Sequence, residues 1–122
     1  MLTGSCLCGD VTFTVGAEPR GPGVCHCGQC RRQSGHLWAS AYVARSDLSI
    51  FGTVNWHAAS ETAKRGFCPR CGSFLFRADA EDTMSFALGA LQEPTGLRLE
   101  KHIFVADKGD YHDIADGVPQ KH

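Results

Sequence analysis

The stretch Cys25-His-Cys-Gly-Gln-Cys30 decides the fold, because it places three thiols within a short segment of chain. In an extended backbone, residues i and i+2 point to the same side, so Cys25 and Cys27 direct their sulfurs toward one point while the histidine between them faces away. A turn through Gly28 then brings Cys30 to the same point. Closely spaced thiolates are typical zinc ligands, and the stretch therefore predicts a metal site.

Two further cysteine pairs flank this stretch, Cys6-x-Cys8 toward the amino terminus and Cys68-x-x-Cys71 toward the carboxyl terminus. Seven cysteines are an odd number, which excludes a fully paired disulfide framework. The first residues contain neither a basic region nor an apolar run, so we expect no secretory signal and a cytoplasmic, reducing location, where disulfides are rare. The spacing therefore favours metal binding for these pairs as well.

The pair Cys68-Pro-Arg-Cys71 also matches the redox motif of thioredoxin-like proteins. That motif requires a helix directly after it, whereas the following Gly-Ser-Phe-Leu-Phe predicts a turn and then a strand. Zinc binding is the favoured interpretation, and redox chemistry stays open as an alternative.

Seven thiols divide naturally into one site with four ligands and one with three. A structural zinc site is closed by four protein ligands, whereas a catalytic site keeps three and an open position. The compact middle group supplies the three, which leaves Cys6, Cys8, Cys68 and Cys71 to close a structural site that joins distant segments of a small domain. As an alternative, His26 or His36 completes the middle site, and both ions are then structural.

Thiolates in these numbers carry more negative charge than two zinc ions neutralise, so cations are expected near them. Arg31 and Arg32 directly follow the middle group, and Arg65 and Arg70 flank the last pair. We favour Arg31 as a functional residue, because it lies next to the predicted open site. The other three arginines fit exposed surface positions equally well.

Short stretches of alternating apolar and polar residues dominate the rest of the chain and predict β-strands. The predicted strands cover residues 11–15, 37–43, 48–51, 73–76, 84–88 and 103–105. Glycines between them predict turns, and the one helical turn is expected at residues 28–34. The predicted class is therefore mostly β with little helix.

Length and composition indicate one globular domain over residues 1–122 and exclude several kinds of partner. The chain has a mass of 13.2 kDa, with 43% hydrophobic and 20% charged residues. Its formal net charge of -1 argues against a nucleic-acid or membrane-surface partner, which a basic excess would favour. No apolar stretch approaches the roughly 18 residues that a membrane helix needs.

Several motifs together resemble the glutathione-dependent formaldehyde-activating enzyme family, which includes the centromere protein V-like domains. The motifs are Gly4-Ser-Cys-Leu-Cys-Gly-Asp-Val11, Cys25-His-Cys-Gly-Gln-Cys-Arg31, Arg65-Gly-Phe-Cys-Pro-Arg-Cys-Gly-Ser73 and Ile114-Ala-Asp-Gly-Val-Pro119. Tyr111 stands where the resemblance leads us to expect a tryptophan. The motifs span nearly the whole chain, so the resemblance concerns the entire domain.

The resemblance implies a compact fold of several short, coiled antiparallel β-sheets, similar to methionine-sulfoxide reductase B and translationally controlled tumour protein. It also implies two zinc ions per chain, a structural one on Cys6, Cys8, Cys68 and Cys71 and a catalytic one on Cys25, Cys27 and Cys30. The implied activity is that of a carbon-sulfur lyase which condenses glutathione with formaldehyde to S-(hydroxymethyl)glutathione.

For such a reaction we expect the substrate to contact residues next to the middle cysteines. Arg31 is a candidate for binding a glutathione carboxylate, and Gln33 and Ser34 are candidates for further hydrogen bonds. A zinc module that binds a macromolecular partner without catalysis is the alternative function, and a thiol or metal sensor is a third. No residue is assigned as the general acid or base.

Overall fold

The computed structural model describes residues 1–122, which form ten short β-strands and one α-helix. The strands are β1 (Leu2–Ser5), β2 (Thr12–Val15), β3 (Arg20–Cys25), β4 (Trp38–Ala44), β5 (Leu48–Phe51), β6 (Asn55–Ala58), β7 (Lys64–Phe67), β8 (Phe74–Ala78), β9 (Thr83–Ala87) and β10 (Lys101–Ile103). The helix α1 (Gly28–Ser34) lies between β3 and β4. Single 3-10 turns follow β4, β9 and β10, at Arg45–Asp47, Leu88–Ala90 and Val105–Asp107.

The strands form two sheets. The small sheet has the order β1-β2-β5, and the large sheet has the order β10-β3-β4-β9-β8-β7-β6. All neighbouring strands are antiparallel except β3 and β10, which run parallel. The predicted mostly β class with short antiparallel sheets is therefore confirmed, with one parallel pair in addition.

No helix of the chain combines the length and the apolar character that crossing a membrane would require.

Five predicted strands and the helix form at about the predicted positions, whereas the strand predicted at residues 103–105 forms two residues earlier, as β10, because Val105 begins a 3-10 turn. The strands β1, β3, β6 and β7 were not predicted. In β3 the residues Gly21, Pro22 and Gly23 read as a turn in the sequence. The strand forms nonetheless, because it pairs with β4 on one side and with β10 on the other. Its pairing with β4 is irregular between Arg20 and Gly23. The pairing of neighbouring strands thus overrides local propensity at this point.

The main core lies between the two sheets and is centred on Phe13 of β2. Alternation buries Val11, directly before β2, together with Phe13 and Val15 of the strand. The ring of Phe13 meets that of Phe76 edge to face at 5.1 Å and that of Phe86 at 5.9 Å. Aromatic pairs at these separations stabilise a core beyond the area that they bury.

The opposite face of the large sheet carries a smaller apolar cluster beneath α1. Trp38 of β4 is buried there and stacks on Phe74 of β8, with ring centroids 4.1 Å apart. Cys30 of the helix and Ala87 of β9 are buried in the same cluster. The middle of the large sheet is therefore covered on both faces, and the second layer positions the middle cysteine group.

We expect Phe13→Ala to lower the free energy of unfolding by about 3–5 kcal/mol, because it leaves a cavity against two aromatic rings. Urea denaturation followed by circular dichroism measures the change. The matched control is Phe51→Ala on the neighbouring strand β5, where the side chain is 57% exposed. An equal loss in the two variants would contradict the assignment of Phe13 to the centre of the core.

Candidate functional site

The seven thiols gather into two groups, each compact enough to hold one metal ion. Sulfurs within each group lie within 4.8 Å of one another, and all seven cysteines are free of disulfides. The four-cysteine cluster consists of Cys6, Cys8, Cys68 and Cys71, and the three-cysteine cluster consists of Cys25, Cys27 and Cys30. These are the two groups that the sequence spacing indicated.

Two tight turns build the four-cysteine cluster. One follows β1, where the amide of Val11 donates to Cys6 Sγ over 3.3 Å, and the other joins β7 to β8. In the second turn Gly72 adopts a φ of +79° and donates its N–H to the carbonyl of Cys68. Ser73 Oγ accepts a hydrogen bond from the amide of Leu7 at 3.0 Å, so the two turns are held side by side.

The sulfur spacing in this cluster fits a tetrahedral metal site. Metal–sulfur bonds of about 2.3 Å at tetrahedral angles place the sulfurs about 3.8 Å apart. The Sγ atoms of Cys6 and Cys8 are 3.7 Å apart, and those of Cys8 and Cys68 are also 3.7 Å apart. Hydrogen bonding by Ser73 lowers the pKa of the Cys71 thiol to about 5, which favours the thiolate that a metal ion requires.

The three-cysteine cluster forms where β3 ends and α1 begins. Cys25 is the last residue of β3, and Cys27 is the N-cap of the helix, with its Sγ accepting the N–H of Cys30 at 3.3 Å. The first helical turn then places Cys30 beside them. Cys25 and Cys27 are partly exposed, whereas Cys30 is buried against Trp38. Solvent can therefore reach the cluster from the side of Cys25 and Cys27.

Arg65 of β7 supplies the positive charge next to this cluster. Its Nη1 donates to Cys30 Sγ at 3.4 Å and to Gln33 Oε1 at 3.5 Å, although the residue is only 4% exposed. Hydrogen bonding by Cys25 and by Arg65 lowers the pKa of the Cys30 thiol to about 5. A buried guanidinium beside sulfur stabilises a thiolate there. Of the four candidate arginines, Arg65 is the one that contacts a cysteine.

No histidine completes the three-cysteine cluster. His26 faces away from the sulfurs and forms a hydrogen bond with His102, and His36 contacts Tyr111 and His112 instead. The group of sulfurs that lie close together contains three cysteines and no further histidine or carboxylate. The geometry therefore favours three protein ligands over the alternative with four.

A chain of buried hydrogen bonds supports the backbone between Cys25 and Cys27. His102 Nε2 forms a hydrogen bond with Asp116 Oδ2 at 2.8 Å, and His102 Nδ1 forms one with His26 Nε2 at 2.9 Å. Burial lowers the pKa of His26, and hydrogen bonding from His102 lowers the pKa of Asp116. These directions agree with a neutral His26 and a charged Asp116 near neutral pH. These hydrogen bonds support the backbone of Cys25 and Cys27 from the side opposite their sulfurs.

The predicted substrate residues of α1 have different surroundings. Arg31 lines a cleft with Lys108 and Tyr111, whereas Gln33 approaches Arg65 and Ser34 Oγ accepts the amide of His36 at 3.1 Å. The structure thus joins Gln33 to the three-cysteine cluster through Arg65. Their role in binding substrate stays a prediction.

The local sequence Ala-Asp-Gly around Asp116 predicts a turn, and nothing in it indicates a contact with His102. Asp116 does form the turn, since its Oδ1 accepts a hydrogen bond from the amide of Val118 at 3.0 Å. Its Oδ2 forms a hydrogen bond with His102 Nε2. No local pattern signals the pairing of His26 with His102, because the parallel contact of β3 and β10 creates it. The buried position of Arg65 likewise depends on the distant helix.

We expect Cys68→Ser and Cys27→Ser each to remove metal binding at its own cluster, but to differ in stability. Cys68 is fully buried and its cluster joins both sheets, so its loss should unfold the domain or lower its denaturation midpoint strongly. Serine is a good helix N-cap, so Cys27→Ser should keep the fold. Atomic absorption and urea denaturation measure both quantities, and equal destabilisation would contradict the division of roles.

Comparisons with known proteins agree with the fold and the cysteine pattern. The sequence model of the family described as glutathione-dependent formaldehyde-activating enzyme matches residues 1–107. A protein of Schizosaccharomyces pombe described as an uncharacterized lyase is 26% identical over 116 residues, which cover 93% of this chain and 85% of the yeast protein.

A crystal structure of a protein from Rhodobacter sphaeroides shares the fold, with a TM-score of 0.58 and 24% identity over 98% of this chain and 99% of that chain. The family match covers most of the chain and includes all seven cysteines. The chain therefore belongs to the glutathione-dependent formaldehyde-activating enzyme family.

Proposed function

We propose that the protein is a zinc-dependent carbon–sulfur lyase-type enzyme that acts on thiol–aldehyde adducts. The proposed reaction joins glutathione and formaldehyde to S-(hydroxymethyl)glutathione, or a related thiol to a small aldehyde. The family membership and the yeast relative described as a lyase support an enzyme of this kind. The free thiols are consistent with a reducing location, for which we propose the cytoplasm.

The observation that carries this proposal is the incomplete ligand set of the three-cysteine cluster. Three sulfurs lie within 4.8 Å of one another, and no fourth protein donor joins them. Three protein ligands are the number that catalytic zinc sites use, whereas structural sites have four. One cluster of each kind in one small domain supports a division into a structural and a catalytic ion.

The donor set favours zinc at both clusters. Groups made only of thiolates select zinc or iron–sulfur chemistry, and tetrahedral sulfur spacing of the observed size suits a single zinc ion. We propose that Cys6, Cys8, Cys68 and Cys71 hold the structural ion. Cys25, Cys27 and Cys30 hold the catalytic ion.

In the proposed reaction, the sulfur of the thiol attacks the carbonyl carbon of the aldehyde. A carbon–sulfur bond forms, the carbonyl π pair moves to oxygen, and the proton lost by the thiol ends on that oxygen. When bound, zinc supplies positive charge that favours a deprotonated thiol and polarises a carbonyl group. The free pKa of a thiol is about 8.5, so help with deprotonation matters at neutral pH.

The chain's own residues keep the site in position and compensate its charge. Arg65 donates to Cys30 Sγ, and the His26–His102 contact fixes the backbone between Cys25 and Cys27. Substrate contacts are proposed on α1, where Gln33 approaches Arg65 and where Arg31 and Ser34 remain candidates. These contacts position the cluster and a bound thiol relative to each other, and they take no part in bond formation.

The direct test is exchange between free formaldehyde and the glutathione adduct, followed by two-dimensional NMR exchange spectroscopy. Zinc-loaded protein should raise the exchange rate above the spontaneous rate, and Cys27→Ser should return it to that rate while its circular dichroism spectrum stays native. Protein-free buffer containing the same zinc concentration is the control. If the zinc-loaded protein leaves the rate unchanged, the enzyme proposal fails and a non-catalytic binding module is favoured.

We expect Arg65→Met to weaken zinc binding at the three-cysteine cluster by about 10–100-fold, the usual effect of removing a group that hydrogen-bonds a metal ligand. Competition with a chromophoric chelator measures the affinity. Arg77→Met is a matched control, because Arg77 is the register partner of Arg65 on β8 and pairs with Asp79 instead of a cysteine. Unchanged zinc affinity in Arg65→Met would show that its contact with Cys30 is incidental.

A further inference from the structure

One cysteine differs from the other six in its exposure to solvent. Cys8 is exposed, whereas the remaining cysteines are buried or half-buried. It lies in the turn after β1, directly after Leu7, whose side chain is 88% exposed. A metal-bound thiol is deprotonated, and the thiolate is the form of cysteine that reacts with oxidants. An oxidant in solution therefore reaches the four-cysteine cluster at Cys8.

The sulfur of Cys8 has two neighbours at the same distance, and they are not equivalent. Cys6 Sγ and Cys68 Sγ each lie 3.7 Å from Cys8 Sγ. Cys6 Sγ accepts the amide N–H of Val11 at 3.3 Å, whereas Cys68 Sγ accepts no hydrogen bond from an amide or a hydroxyl group. Donation of a hydrogen bond withdraws electron density from a thiolate and weakens it as a nucleophile. Cys68 is therefore the better partner for an oxidised Cys8.

A disulfide bond between Cys8 and Cys68 requires only a small movement. Such a bond is about 2.0 Å long, so the two sulfurs, now 3.7 Å apart, approach by roughly 1.7 Å when it forms. The exposed side chain of Cys8 has room to rotate, while Cys68 stays fully buried. The remaining thiol, that of Cys71, is already hydrogen-bonded to Ser73 Oγ at 3.2 Å.

Charge distinguishes the two clusters as well. Four thiolates exceed the charge of a divalent ion by more than three thiolates do, and Arg70, in the second turn of the four-cysteine cluster, pairs with Asp10 at 3.3 Å. At the three-cysteine cluster, in contrast, Arg65 donates to Cys30 Sγ at 3.4 Å. A cation beside a thiolate lowers its nucleophilicity. The four-cysteine cluster is therefore the more electron-rich of the two, and we expect it to react first.

We propose that Cys8 is an oxidation site, at which a hydroperoxide replaces the zinc cross-link of the four-cysteine cluster by a disulfide bond to Cys68. The oxidant is hydrogen peroxide or a small organic hydroperoxide, and a dithiol reductant restores the two thiols. The inference requires zinc at this cluster, as proposed above, but it requires no catalysis at the three-cysteine cluster.

The oxidation consists of two displacements. In the first, the Cys8 thiolate attacks an oxygen of the hydroperoxide, a sulfur–oxygen bond forms and the oxygen–oxygen bond breaks. The leaving oxygen takes a proton from solvent and departs as an alcohol, or as water if the oxidant is hydrogen peroxide.

In the second displacement, the Cys68 thiolate attacks the sulfur of Cys8, so that the disulfide forms and the sulfur–oxygen bond breaks. The hydroxide that leaves takes a second proton and becomes water. Together the two sulfurs lose two electrons, and the hydroperoxide gains them. The zinc ion keeps only Cys6 and Cys71 as ligands and is released.

The disulfide joins the same two parts of the fold as the zinc ion does. Cys8 follows β1 of the small sheet, and Cys68 follows β7 of the large sheet. The two cysteines are 60 residues apart, and a bond that closes so long a loop restricts the unfolded chain strongly. The oxidised domain therefore stays folded without its structural ion.

The first experiment maps the bond in the wild-type protein. Trypsin separates the first cysteine pair, Cys68, Cys71 and the middle cysteines into peptides 1–20, 66–70, 71–77 and 21–31. One equivalent of hydrogen peroxide should release one zinc ion per chain, measured with a chromophoric chelator, and should link peptide 1–20 to peptide 66–70. Fragment spectra should locate the link at Cys8. A bond between peptides 66–70 and 71–77, or oxidation that begins in peptide 21–31, would overturn the proposal.

Two histidine variants separate the exposure of a sulfur from zinc binding. Cys8→His and Cys71→His each keep a fourth zinc ligand, because three cysteines and one histidine form a common structural site. Atomic absorption gives their zinc content before the oxidant is added. We expect Cys8→His to slow zinc release by hydrogen peroxide about tenfold, because the exposed sulfur is gone, and Cys71→His to release zinc at close to the wild-type rate. Equal rates in the two variants would contradict the role of Cys8.

Denaturation tests whether one cross-link replaces the other. The oxidised protein should keep its urea midpoint after treatment with EDTA, whereas EDTA should lower the midpoint of the reduced protein, and dithiothreitol should remove the difference. Equal midpoints of the two forms after EDTA treatment would refute the covalent cross-link. None of these measurements involves glutathione or formaldehyde. Failure of the enzyme proposal therefore leaves this inference intact, and an active enzyme whose four-cysteine cluster resists peroxide refutes this inference alone.

Discussion

The approach of Cys6 and Cys8 to Cys68 and Cys71 is the contact on which the arrangement of the two sheets depends. The first pair follows β1 of the small sheet, and the second lies between β7 and β8 of the large sheet. Thiolates at this distance repel one another unless a cation lies between them. A metal ion therefore turns a repulsive contact into a cross-link, in a domain whose size allows only a modest core.

The large sheet carries the second cluster on the face away from the main core. Because β3 and β10 run parallel, they bring His102 beside His26, and because β7 lies near the helix, Arg65 reaches Cys30. The cluster is thus surrounded by partners that come from remote parts of the sequence. A cationic guanidinium on one side and the neutral imidazole of His26 on the other give the sulfurs an asymmetric electrostatic environment, with the positive charge on the side of β7.

Local patterns in the sequence predicted the strands that bury one face and the thiols that lie close in sequence. Val11, Phe13 and Val15 alternate because one side of β2 is the core, and the helical turn after Cys27 forms at the predicted residues 28–34. All four residues of β6 are exposed, so no apolar alternation marks that strand, and in β3 the segment Gly21–Gly23 resembles a turn. The burial of Arg65 could not be predicted, because the contact that buries it comes from a helix 32 residues away along the chain.

Hydrogen bonds that do not involve sulfur hold the backbone of the three-cysteine cluster, and they affect how a metal ion binds there and leaves. Cys25 and Cys27 are held by the imidazole chain to Asp116 and by the main-chain bond from His26 to Ile103, at 3.1 Å, neither of which involves sulfur. The backbone around the three-cysteine cluster is therefore positioned by contacts that do not depend on a bound metal ion. We expect a metal ion to exchange at this cluster through local motion of the thiols, without global opening of the domain.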